Sequence, residues 1–187
     1  MTLNKETKKY TENLVKVINS LNIEKIHSLS KKIEKIWKNK KSLFICGNGG
    51  SAGNAIHIAN DFIYGVGGGK KPGINVEALT ANSSVLTCLA NDTGYENIFS
   101  KQIEAKGKKN DLLICLSGSG NSKNIINVIK QAKIMKLNTF GIFGYSGGKA
   151  SKIVDDYIHI NVNDMQISED MQLIIGHMCM KNIMSKK

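Results

Sequence analysis

The 187-residue sequence has no arginine, one proline, one tryptophan and four cysteines, and only 6% of its residues are aromatic. Each shortage excludes something. Without arginine the chain lacks the planar fork that clamps phosphates bidentately and reads guanine edges. The formal charge of +11, from 26 basic against 15 acidic residues, therefore rests on lysine alone. Much of the excess falls between Lys5 and Lys41, and it reads as a solvated surface with no nucleic-acid partner. The cysteines (Cys46, Cys88, Cys115 and Cys179) stand singly in apolar runs with no CxxC pair, which excludes a disulfide framework or a zinc ribbon. They are expected to be buried core thiols in a reducing, cytoplasmic setting. No run approaches the ~18 apolar residues of a membrane span, and MTLNKETKKYTENL carries no apolar signal core.

What is present is one domain's worth of chain, 41% apolar, and long enough to bury roughly 70% of its unfolded surface without metals or disulfides. Residues 5–21 place Tyr10, Leu14, Val17, Ile18 and Leu21 at three- and four-residue steps. Ile26, Leu29, Ile33, Ile36 and Trp37 repeat the pattern, so residues 1–41 form a helical hairpin that packs on the core or on a neighbouring subunit. From Ser42 short apolar runs alternate with longer helical stretches. Strands are expected at Ser42–Cys46, Asn75–Leu79, Asp111–Leu116, Asn138–Phe143 and Asp156–Val162, with helices at about 52–64, 95–106, 121–136 and 166–184. This alternation predicts an α/β fold: a three-layer α/β/α sandwich around a five-stranded parallel sheet, in a single domain over 1–187.

In such sheets ligands sit beyond the carboxyl ends of the strands. Two junctions there stand out. CGNGGSAGNAIH, Cys46 to His57, follows the first strand; Gly47, Gly49 and Gly50 allow a tight turn, and Asn48 and Ser51 supply donors. LSGSGNSKN, Leu116 to Asn124, follows the third, with hydroxyls at Ser117, Ser119 and Ser122 and close backbone approach at Gly118 and Gly120. Ser122 or Asn121 is expected to cap the next helix. Glycine and serine after a strand also serve as ordinary turn residues, but two hydroxyl-rich loops in one small sheet favour a monophosphate cradle. Neither has the GxxxxGK[ST] or GxGxxG spacing, which argues against a nucleotide cofactor.

The titratable residues form two groups. His57 and Asp61 are four apart and share a helix face. Glu169, Asp170 and His177 lie on the last helix, where seven- or eight-residue steps return to nearly the same side. His27 and His159 have no such setting and read as surface or structural.

These residues resemble the sugar isomerase (SIS) domain family, and most closely its aldose-ketose isomerases that act on a seven-carbon sugar phosphate. The similarity runs through CGNGGS with His57, the stretch from Ala78 to Ala105, LSGSGNS, and QLIIGH ending in His177. The resemblance implies that Asn48, Gly49, Gly50, Ser51, Ser117, Gly118, Ser119 and Ser122 hold the phosphate and that Asn91 and Asp92 touch the sugar. It implies Asp61 and His177 as the acid/base pair, where Asp61 is one methylene shorter than the family's glutamate. It also implies a zinc site at His57, Asp61, Glu169 and His177, with Glu169 where the family has glutamine; Asp170 and Gln172 are its rivals, Gln172 facing elsewhere. A homotetramer with sites shared between subunits is implied, as is a product destined for activated heptose in lipopolysaccharide or capsule. The alternative is a non-catalytic family member that binds a sugar phosphate or a replication initiator.

Overall fold

The computed structural model describes residues 4–68 and 71–185. Helices α1 (Lys5–Asn19) and α2 (Ile23–Lys38) lead into β1 (Ser42–Cys46), α3 (Gly50–Tyr64), β2 (Asn75–Ala78), α4 (Ser83–Thr93) and α5 (Ser100–Lys106). The chain continues through β3 (Leu112–Ser117), α6 (Lys123–Ile134), β4 (Asn138–Phe143), β5 (Asp156–His159) and α7 (Met165–Met184), with short 3₁₀ turns at Tyr95–Asn97 and Ala150–Lys152. All strand pairs are parallel, in the order β2-β1-β3-β4-β5.

Both faces of the sheet are covered, as the near-continuous apolar strands require. Leu43, Ile45, Leu112, Ile114 and Ile142 point to the layer of α2, α3 and α7. Phe44, Cys46, Leu113, Cys115 and Phe143 point to the opposite layer, where α6 buries Ile125, Val128 and Ile129. The N-terminal hairpin is unequal: α2 buries Ile26, Leu29, Ile33 and Ile36 against its own sheet and α7, whereas α1 buries only Val17. The Tyr10 hydroxyl ties α1 to Asp170 of α7, and that hydrogen bond, with burial and the carboxylate's charge adding to it, raises the phenol to about 12.

Two expectations need correction. Residues 95–106 are a 3₁₀ turn followed by α5 rather than one helix, and α4 was not anticipated. Cys88 is exposed, unlike Cys46, Cys115 and Cys179. It lies on α4, and its hydrogen bond to Asp92 pushes the thiol up. No helix among the described residues is long and apolar enough to cross a membrane.

Candidate active site

Strand order locates the site. The chain steps from β1 outward to β2 and then returns past β1 to β3, so the topological switch point lies between β1 and β3, where a crevice opens at their carboxyl ends. These are the strands that feed the two glycine-serine loops.

Helix caps set the local electrostatics. Helices α1, α2, α4 and α7 each begin with an Asn or Asp whose side chain accepts a backbone N–H: Asn4, Asn22, Asn82 and Asp164. The two helices that start at the crevice lack this. Gly49 precedes α3 and Ser122 precedes α6, and neither makes a side-chain capping bond. Their leading N–H groups, at the positive ends of the helix dipoles, remain available to an anion. Ser122 takes the cap position without the capping bond that was expected of it. Asn121 does not cap either; its carboxamide joins Lys149 and Ser119.

The loops are locked together. Asn48 and Asn124 exchange two amide hydrogen bonds of 2.9 and 2.8 Å, and the Tyr95 hydroxyl donates to Asn48 at 3.0 Å. Neither Asn124 nor Tyr95 was singled out from the sequence, although both lie in the quoted runs. Gly49 has φ 56°, a left-handed backbone that glycine adopts without strain. The Glu169 carboxylate rests on the open face of Gly50, where a Cβ would push that flexible side chain aside. Ser51 is buried and accepts from Gln172 Nε2 at 3.0 Å, while Gln172 Oε1 accepts from Asn54 at 3.0 Å. Ser117 is also buried and accepts the Gly120 N–H. Gly118 lies against Met165, and Ser119 accepts the Asn121 N–H. Asn91 and Asp92 bond to each other on the exposed last turn of α4, so no hydrogen bond among the described residues joins them to the loops.

The titratable groups meet across α3 and α7. His57 Nε2 and His177 Nε2 are 3.1 Å apart, and Asp61 Oδ2 is 3.5 Å from the first and 3.2 Å from the second. Three lone-pair-bearing atoms this close need a proton or a cation between them. A tetrahedral zinc ion with bonds of about 2.0–2.1 Å holds its ligands about 3.3 Å apart, so the donor set fits one and leaves a fourth position open. Among the described residues these three form the converging group. Glu169, expected as a fourth ligand, is outside it; its carboxylate lies over the first turn of α3, and Asp170 is engaged by Tyr10. The group is half open to solvent, with exposed Ile56, Ile63 and Tyr64 on the same helix.

A parallel sheet with two glycine-serine loops at its β1/β3 crevice, and a His-Asp-His cluster between α3 and α7, define an α/β protein with a candidate anion site at its switch point, and the comparisons narrow that class. The SIS domain family matches over residues 8–144. The phosphoheptose isomerase of Aliarcobacter butzleri is 36% identical over 92% of this chain and 90% of its own, and the probable phosphoheptose isomerase of Thermoplasma acidophilum is 36% identical over 92% and 94%. The solved phosphoheptose isomerase of Neisseria gonorrhoeae superposes with a TM-score of 0.90 at 26% identity, covering 98% of this chain and 100% of that one. The chain belongs to the SIS domain family, within its phosphoheptose isomerase branch, and is an isomerase.

Proposed function

We propose that the chain interconverts sedoheptulose 7-phosphate and D-glycero-D-manno-heptose 7-phosphate through an enediol. The observation that carries this reading is that His57 and Asp61, on the helix that starts at the phosphate loops, meet His177 of α7. His57 lies seven residues beyond Gly50, about 10 Å along α3 at helical rise. An extended seven-carbon chain reaches that far from its phosphate to its first carbons.

The phosphate docks on the uncapped starts of α3 and α6, with Ser119 and Ser122 donating hydroxyls and Asn48 and Ser51 shaping the floor. Remote binding of this kind orients the reacting carbons. Asp61 and His177 are the acid/base pair: a proton leaves carbon 1 of the ketose, the carbonyl oxygen at carbon 2 is protonated, and the enediol collapses as carbon 2 gains a proton and the carbon-1 hydroxyl loses one. His57 holds the His177 ring through the Nε2 contact. A zinc ion at His57, Asp61 and His177 would polarise the sugar oxygens as a Lewis acid. Glu169, over the start of α3, accepts hydrogen bonds from sugar hydroxyls next to the phosphate. The exposed Ile56, Ile63 and Tyr64 suit a homotetramer in which a neighbour closes the site and brings Asn91 and Asp92 to the sugar. The proposal places the enzyme in the cytoplasm, supplying activated heptose for lipopolysaccharide or capsule.

Purified protein incubated with sedoheptulose 7-phosphate in deuterated water tests the reading. Aldose carrying carbon-bound deuterium is expected, and Asp61→Asn and His177→Ala should each slow its formation by about 10²–10⁴. Turnover untouched by both substitutions removes the acid/base assignment. No turnover with or without added zinc favours a non-catalytic binder of sugar phosphates.

A further inference from the structure

The lysines that look scattered in sequence gather at the opposite end of the sheet. Two cavities open beside the amino ends of the strands. The larger, ≈ 570 Å³, is bounded by Lys38, Lys40, Lys41 and Lys71, with the Trp37 ring and Pro72 as apolar walls. The smaller, ≈ 320 Å³, is bounded by Lys32, Lys35 and the same Lys41, with Asn39, Asn110 and Asn138 supplying amides. Shared Lys41 makes them one trough. Among the described residues no carboxylate lines either part, and of these six lysines Lys38 has an ion pair there, with Glu34.

Helix electrostatics account for only part of this. Lys35 and Lys38 occupy the last turn of α2, where cations complement the negative end of the dipole. Lys40 and Lys41 follow directly, their N–H groups closing back on Trp37 and Ile36, so the same dipole favours them; Lys71, before β2, has no such reason. Lys40 also holds a left-handed backbone, φ 51°, that glycine or asparagine would adopt at lower cost. That backbone is the ordinary close of a helix, shared by Lys136 after α6; what points to a ligand is the gathering of lysines around an aromatic wall with no carboxylate lining the cavity among the described residues.

We propose that this trough binds a nucleoside polyphosphate, its base against Trp37 and Pro72 and its phosphates on Lys40, Lys41 and Lys71. Lysine serves as a point-charge phosphate binder without arginine's fork, and an indole is a platform for any nucleobase. The site is separate from the crevice at the carboxyl ends of the strands, and it does not depend on the isomerase reading.

Trp37 is the only tryptophan, so its emission reports on the trough directly. Full-length protein titrated with ATP at low salt should show saturable quenching that inorganic tripolyphosphate competes away and that adenosine does not reproduce. The triple variant Lys40→Gln/Lys41→Gln/Lys71→Gln should bind ATP at least about tenfold more weakly, because it loses three screened but unopposed charges. Its thermal unfolding and isomerisation should match the parent, which shows that it is folded. Three results would each overturn the proposal: no saturation at millimolar ATP, an unchanged curve in the triple variant, or equal quenching by adenosine. Tighter binding of a single-stranded oligonucleotide than of ATP would overturn it too, by assigning the trough to nucleic acid.

Discussion

The two ends of the sheet prepare for anions in opposite ways. At the carboxyl ends of β1 and β3 the charge comes from the backbone: α3 and α6 start without a side-chain capping bond, and the nearby side chains are hydroxyls and amides. At the amino ends it comes from lysine side chains around Trp37. Backbone donors are fixed in direction and cannot be repositioned, which suits a site where a reacting carbon must be placed within about 1 Å. Lysines are long, mobile and strongly hydrated, which suits loose capture. The difference predicts that changes at the first end alter isomerisation, through binding or chemistry, and changes at the second alter ATP affinity alone.

The largest expected effect tests that division at its sharpest. Asp61→Asn and His177→Ala should each lower the isomerisation rate by about 10²–10⁴. Both side chains are partly exposed, so denaturant midpoints should barely move. The comparison breaks if these variants lose stability and activity in parallel, since the cluster would then be a structural clasp between α3 and α7.

Next in size is the buried polar brace beneath the phosphate loop. Gln172 is fully buried and satisfies both Ser51 and Asn54. Gln172→Leu fills similar volume but leaves those partners without it, at a cost of about 1–3 kcal/mol. Urea unfolding would read the loss, and a raised KM with little change in kcat would place the damage at the phosphate loop.

How much of this was legible in sequence depended on where the apolar signal ran. All five strands and both loops could be read, because buried parallel strands are short continuous apolar runs and the glycines and serines follow them directly. Helix α4 was missed although Leu86, Leu89 and Ala90 form a short apolar stripe that packs on the core: none of its residues is fully buried, and the stripe spans little more than one turn. The pairing of His57 with Asp61 followed from a four-residue step, but the Asn48–Asn124 exchange joins positions 76 apart, and no local pattern encodes it. Glu169 has the right spacing from His177 for a shared face, yet its carboxylate lies against Gly50 at the start of α3, outside the His-Asp-His group. The lysine trough was invisible because its residues come from α2 and the turns before β1 and β2, which meet only when the strands pair.

A smaller effect concerns pH at the β4–β5 side. Burial of Asp155 disfavours its charge, but bonds from the Thr139 hydroxyl and N–H, together with Lys133, outweigh it and hold the carboxyl below its ordinary value. A depressed value means the contribution is fully present above the ordinary carboxylate range and is lost as pH falls through the folded value. Asp155→Asn should therefore flatten the acid limb of the stability curve, by about 1 kcal/mol after allowance for its exposure. Isomerase turnover at neutral pH should not follow it, because neither loop of the crevice is touched.

The smallest expected effect separates charge from strain at the lysine end. Lys40 and Lys136 both carry left-handed backbone, φ 51° and 62°, but only Lys40 lines the trough. Glycine at either position relieves the clash of Cβ with the backbone and gives back part of that gain through a more flexible unfolded chain, for a net stabilisation of about half a kcal/mol. Thermal melts should therefore rise slightly and equally for Lys40→Gly and Lys136→Gly. ATP titrations should not be equal: Lys40→Gly weakens quenching of Trp37, while Lys136→Gly leaves it unchanged. Stability and binding moving in opposite directions at Lys40 alone would mean that the lysine is retained there for its charge, against the preference of its own backbone. Equal titrations would reduce the amino-end lysines to a solvated surface and leave the carboxyl-end crevice as the molecule's one anion site.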